Sequence, residues 1–274
     1  MIYELKSEEF PKCQPLVIKG KHIEIQAIIA GNNPGRIFVD NRFDPTSGFV
    51  WFGNLDGFAF IGNVNNETFT REVDAFFNNE IIGEAKRLGL QWFEGFGHDP
   101  SWDSAIEKMF NKRNLEASKQ RVYLMSRETY QVDREPQIEQ TYLVEKLTAE
   151  RLASEVYQKS PFLQNKLLHF WRSEREFLEK GLGYCIVYEK EIVSVCFSGF
   201  VANQYHGIDI ETVPHHQGNK LARKLAHRFV KDALVQNLVP YWDCMEVNAP
   251  SLSVAESVGF ELQYQYTVYE FPFT

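Results

Sequence analysis

Little in the sequence points to a metal centre, a disulfide framework or a membrane anchor. Cysteine occurs four times in 274 residues (Cys13, Cys185, Cys196 and Cys244), widely spaced and without a CxxC pair. Such spacing reads as buried thiols rather than as a disulfide scaffold or a thiolate cluster. An HExxH helix is missing too, so no metal ligands are assigned. No run approaches the roughly 20 uninterrupted apolar residues of a membrane helix. The opening Met1-Ile2-Tyr3-Glu4-Leu5-Lys6 lacks the basic flank and apolar stretch of a secretory leader, and the expected location is the cytoplasm. Basic charge is in deficit: 29 Lys and Arg against 37 Asp and Glu leave a net charge of −8. Nucleic-acid binding needs a basic footprint, so that class of partner is disfavoured. Neither GxGxxG nor GxxxxGK[ST] occurs, which removes the two commonest glycine loops for phosphates.

Aromatic residues, by contrast, are abundant. With 22 Phe, 12 Tyr and 5 Trp, the chain carries too much apolar surface to remain unfolded in water. The first half reads as short strands near 36–40, 48–52 and 57–61, separated by Gly and Asn. From about Thr70 the period becomes helical, with Val73, Phe76, Phe77, Ile81, Ala85 and Leu88 on one face. A strand at 90–94, a short helix after Asp99-Pro100 and a strand at 121–125 follow. Residues 131–147 read as a linker, since the run after Tyr130 has no useful periodicity.

The second half repeats that order. Helical stretches near 148–158 and 161–179 precede strands at 184–188, 192–200 and 206–213. A long helix over 218–236, a strand at 239–244, a short helix from Pro250 and a closing strand at 261–271 complete it. An offset of 150 pairs Trp92 with Trp242, Pro100 with Pro250 and Phe110 with Phe260. The expectation is a duplicated α/β (α+β) unit, with domains at 1–130 and 148–274.

The segment Ile208 to Ala222 carries the strongest chemical signal. A strand enters a turn containing Gly218, and an amphipathic helix leaves it. Amides at a helix start lack intrahelical acceptors, and the helix dipole favours an anion there. Gly218 lets the chain approach a ligand closely, and Lys220 can add a point charge. The corresponding place in the first half, Glu67 to Glu72, has two glutamates and no glycine. An anionic cofactor is therefore expected in the second half alone.

Residues 148–274 resemble the GNAT N-acetyltransferases, in particular the bacterial subgroup in which an N-terminal region precedes the acetyltransferase domain. The family signature R/Q-x-x-G-x-G/A is matched at Gln217 and Ala222, with Lys220 in place of the central glycine, and Ala255-Glu256-Ser257-Val258-Gly259-Phe260 matches the segment before the last strands. The resemblance implies two tandem GNAT-like domains, each with a mixed, mostly antiparallel sheet flanked by helices, the first one degenerate. It implies acetyl-CoA as cofactor, held in a V-shaped opening between two parallel strands by Thr212, Val213, Gln217, Gly218, Asn219, Lys220, Leu221, Ala222 and Asn248. It further implies direct acetyl transfer to an amine of a small molecule or peptide. A noncatalytic acyl-CoA-binding or interaction protein is the alternative, and a homodimer is compatible with either.

Transfer from a thioester to an amine needs a neutral amine, stabilised charge on the carbonyl oxygen, and a proton for the departing thiolate. Glu211, at the end of the strand feeding the loop, is the candidate base. Asp209 lies on the same strand face and can orient a substrate cation. The family's usual phenol on the short helix is replaced by Ala255, so Tyr264 and Tyr266 are the candidate acids. His215 and Trp242 are the candidate substrate contacts.

Overall fold

The computed structural model describes residues 1–55 and 57–273. In chain order the strands are β1 (Tyr3–Glu4), β2 (Gly35–Val39), β3 (Ser47–Phe52), β4 (Phe58–Gly62), β5 (Trp92–Gly97), β6 (Glu116–Leu124), β7 (Leu143–Lys146), β8 (Gly183–Tyr188), β9 (Glu191–Ala202), β10 (Tyr205–Thr212), β11 (Val239–Met245) and β12 (Glu261–Pro272). The α-helices are α1 (Ile23–Ile29), α2 (Glu67–Phe76), α3 (Ile82–Arg87), α4 (Trp102–Met109), α5 (Ala149–Leu152), α6 (Glu155–Gln158), α7 (Pro161–Phe170), α8 (Glu174–Lys180), α9 (Leu221–Val235) and α10 (Ala249–Val258). Among the described residues, no helix is long and apolar enough to cross a membrane.

Two compact units form, one from residues 1–120 and 265–274, the other from 121–264. The division thus falls ten residues earlier than the sequence reading places it, and the last ten residues belong to the first unit. Residues 143–146, inside the stretch read as linker, form β7 and pair antiparallel with β8. Four residues at a sheet edge are too short to show a period in the sequence.

In the first unit the strand order is β1-β2-β3-β4-β5-β12. Neighbours are antiparallel except β4 and β5, which are parallel. Phenylalanine fills its core: Phe49, Phe58, Phe60, Phe77, Phe93, Phe110 and Phe271 are buried together with Trp102. The long helix expected there begins at Glu67, earlier than the apolar period suggests, because the Asn66 side chain accepts from the Phe69 amide and caps it. A π-helical turn at Phe77–Ile81 separates α2 from α3.

The second unit has the order β6-β11-β10-β9-β8-β7, antiparallel through β7 to β10 and parallel between β10 and β11. Its helical preface is broken into four pieces. Ser160 and Ser173 each accept from an amide three residues on, restarting the helix as α7 and α8. Element order therefore repeats, but the fixed offset does not. The parallel ladder opens at Gly95 in one unit and at Val239 in the other. Trp92 precedes the first and is half exposed, whereas Trp242 follows the second and is buried, so the two tryptophans are not equivalent.

Candidate active site

The parallel pair in the second unit parts early. β10 and β11 are matched only at Tyr205–Val239, His206–Pro240 and Gly207–Tyr241. β10 continues to Thr212 and β11 to Met245, yet beyond Gly207 they no longer pair. A register irregularity between Gly207 and Ile208, seen in the ladder with β9, marks the same point. Bulges bend a strand and increase its twist, which is the local cause of the separation. The result is an opening between the strands that contain Glu211 and Trp242.

At the mouth of that opening the chain turns into α9. Val213 donates its amide to the Val193 carbonyl, and Pro214–His216 make one 3-10 turn. The Gln217 side chain donates to the Thr212 carbonyl at 3.1 Å, and Asn219 donates to the His216 carbonyl at 3.1 Å. These side chains fold the loop on itself. Thr212 is buried, its hydroxyl 2.7 Å from that of Ser194. Both turn residues lie at positive φ, Gly218 at 83° and Lys220 at 61°. Lys220 is therefore the left-handed cap of α9 and not its first helical residue, the position for which glycine is best suited.

Amide donors accumulate here. Lys224 is the first residue of α9 whose amide finds an intrahelical carbonyl, that of Lys220. The amides of residues 218–223 donate to no group among the described residues. A Cβ built on Gly218 would meet nothing within 4 Å. Six consecutive amides without a protein acceptor, at the positive end of a 15-residue helix, suit an anionic group. Leu221 is buried under the loop and anchors it, in contact with the β8, β9 and α9 side chains of its cluster.

At the corresponding place in the first unit most of the amides are satisfied within the protein. Asn63 and Asn66 satisfy the amides of Asn65 and Phe69. Trp102 stacks on Phe60 at 5.5 Å and donates to the Gly62 carbonyl at 3.3 Å, against the ends of β4 and β5.

Ile208 and Ile210 pack with α9, so Asp209 and Glu211 stand on the opposite face of β10. There they share one cation from α7. The Lys166 ammonium is 2.5 Å from Glu211 and 3.4 Å from Asp209. Burial alone would lower the proton affinity of this lysine, but the two carboxylates outweigh it and raise it above the ordinary range. The Glu211 carboxylate remains 46% exposed. Sequence reading misses Lys166, since one lysine on a polar helix face carries no signal of what it meets across the fold.

The other expected residues separate into groups. Tyr264 stays in the second unit, its hydroxyl 2.9 Å from that of Tyr241. Tyr241 alternates with Trp242, whose side chain joins the cluster under α9 and α10, so the two phenols belong to the face that carries Asp209 and Glu211. Tyr266 belongs to the first unit, where its ring packs against His22 at 4.7 Å and Phe96 at 4.8 Å. Trp242 is buried, donates to Ser251 at 3.0 Å and packs on Phe260; it is a core residue rather than a pocket wall. His215 is exposed on the loop, while His216 is held by the Tyr142 hydroxyl at 3.0 Å. Asn248 caps α10 by accepting from the Ser251 amide. Burial raises the proton affinity of Cys244, which does not suit it to act as a nucleophile. His206 is also structural, buried against Ser198 at 2.8 Å.

Comparison with known proteins agrees with this architecture. A family model described as GNAT acetyltransferase matches residues 15–269. The uncharacterized N-acetyltransferase YdfB of Bacillus subtilis (strain 168) is 25% identical over 247 residues, covering 89% of this chain and 88% of that protein. A GCN5-related N-acetyltransferase-like protein from Streptococcus suis 89/1591 has a similar fold, with a TM-score of 0.69 at 18% identity, over 96% of this chain and 98% of that one. A tandem GNAT protein from the clavulanic acid biosynthesis pathway matches 100% of this chain and 99% of its own, with a TM-score of 0.62 at 10% identity. The opened strand pair and the loop that follows it are thus features of a chain that belongs to the GNAT acetyltransferase family.

Proposed function

We propose that this protein is an acetyl-CoA-dependent N-acetyltransferase of the cytoplasm. The second unit binds the cofactor and carries the transfer. The first is a degenerate GNAT-like domain preceding it, as in the bacterial subgroup that the sequence resembles. The observation that supports this reading most is the row of open amides at 218–223, placed where β10 and β11 have parted.

Each step has a residue to perform it. The amides at the start of α9 hold the diphosphate, with Lys220 adding charge. Acetyl-CoA, when bound, supplies a thioester carbonyl open to attack by an amine. Asp209 and Glu211 draw in the acceptor's ammonium, and Glu211 takes its proton, directly or through one water. Lys166 holds the two carboxylates in place before the acceptor arrives. The Tyr264 hydroxyl donates a proton to the departing thiolate, and Tyr241 steadies that phenol. The acceptor is a primary amine of a small metabolite or peptide, in keeping with the carboxylates that face it.

Ala255 favours a second reading, because it is buried where the family commonly has its phenol. In that reading the protein binds acyl-CoA without transferring the acyl group. Thiol release from acetyl-CoA, followed across a panel of primary amines, tells them apart. Amine-dependent release above that of acetyl-CoA alone supports transfer. Saturable CoA binding with no release by any amine supports binding only.

A further inference from the structure

Two carboxylates aimed at an incoming ammonium already hold one. Lys166 Nζ lies 2.5 Å from Glu211 and 3.4 Å from Asp209, and both acids stand on the stretch of β10 that has left β11. Other buried or half-buried lysines of this unit are paired elsewhere: Lys146 with Asp232 and Lys224 with Glu135. Lys166 alone among these meets the strand that feeds the cofactor loop. Its ammonium is chemically the same group as a primary-amine acceptor, and it touches the side chain assigned as base.

We propose that Lys166 is itself an acetyl acceptor, modified by the chain's own second unit. This rests on the reading of that unit as an acetyl-CoA site. Glu211 takes one proton from the ammonium, and the neutral Nζ attacks the carbonyl carbon of acetyl-CoA. The N–C bond forms as the C–S bond breaks, and CoA leaves as a thiolate that takes up a proton. One lysine ammonium and one thioester give one amide, one thiol and one released proton.

Two consequences follow from the charges. The carboxylates keep Lys166 protonated above the ordinary lysine range, so self-acetylation is slow near neutrality and speeds up as pH rises. Once acetylated, Lys166 no longer pairs with either acid, and both turn to an external cation. A slow internal acetylation thereby prepares the face for its acceptor.

The test uses the full chain, acetyl-CoA and peptide mapping by mass spectrometry at pH 8, with Lys159 as the reference. Lys159 has a 74% exposed side chain against 25% for Lys166, so modification in free solution would favour Lys159. We expect the Lys166 peptide to gain the mass of one acetyl group at least about tenfold faster than the Lys159 peptide, as held reactants do. Desulfo-CoA in excess should abolish that preference, and Lys166→Arg should remove the modified peptide. Calorimetry with CoA runs alongside. If CoA binds and Lys166 is modified no faster than Lys159, or desulfo-CoA makes no difference, self-acetylation is wrong and the cofactor reading stands. If CoA does not bind, both fall.

Discussion

Gly218→Ala separates a strained turn from a ligand site. Gly218 sits at φ 83°, and a methyl group added there would have nothing within 4 Å, so alanine clashes with no protein atom. The left-handed backbone nevertheless costs an alanine about 1 kcal/mol, or a Tm loss of about 2–4 °C in a domain of this size. The methyl group would stand beside amides that have no acceptor among the described residues. Losing one charge-assisted hydrogen bond to a phosphate is worth about 1.5–3 kcal/mol, so CoA should bind about 10- to 100-fold more weakly. Gly89 provides a matched control: φ is 92°, the space is equally open, and the residue belongs to the first unit. Gly89→Ala should show the same loss of Tm with unchanged CoA affinity. Thermal unfolding and calorimetric titration of both variants check this. Equal CoA affinities for the two would refute the assignment of the loop as the diphosphate site.

Other substitutions and conditions have defined outcomes. Lys220→Gly relieves a left-handed lysine and should raise stability by about 1 kcal/mol, measured by urea unfolding; a lower midpoint would contradict the strain. With an acceptor in hand, Glu211→Gln should slow transfer by about 100-fold or more at low pH and progressively less as the amine deprotonates, whereas an unchanged pH–rate profile removes Glu211 as the base. Trp102→Ala should destabilise the first unit by about 3–5 kcal/mol, since it empties a buried site; a loss below about 1 kcal/mol would mean the indole is not a core residue. Burial holds His206 and His227 neutral, with pKa values pushed down to about 4, against 6.5 for an ordinary imidazole. The unfolded chain binds those protons first, so this stability is complete above about pH 6.5 and is lost toward pH 4, at about 1.4 kcal/mol per pH unit for each imidazole. Urea midpoints that do not fall between pH 7 and pH 5 would refute it.

Elements long enough to show a period were legible in the sequence. β2, β3 and β4 fall within a residue or two of the expected strands, and α9 carries the stripe of Leu221, Leu225, Phe229 and Ala233 that packs on β8 and β9. The strand–turn–helix around Gly218 was legible for the same reason. Features set by contacts distant in sequence were not. Lys166 meets Asp209 across 43 residues, and Tyr241 meets Tyr264 across 23; neither spacing leaves a local pattern. Trp242 reads equally well as core or pocket wall until its neighbours are known. Lys220 reads as helical because lysine is a good helix former, whereas the signature position it occupies requires the backbone of a glycine. The last ten residues continue a strand already assigned to the second half, and nothing in their composition says that they return to the first unit.

The number of CoA molecules bound by the intact chain distinguishes the two turns. The second unit offers six open amides, whereas the matching turn in the first is capped by Asn63 and Asn66 beside Trp102. Calorimetric titration should therefore show saturable binding at one CoA per chain. Two molecules per chain, or no saturation at millimolar CoA, would overturn the assignment of a single diphosphate site at the start of α9.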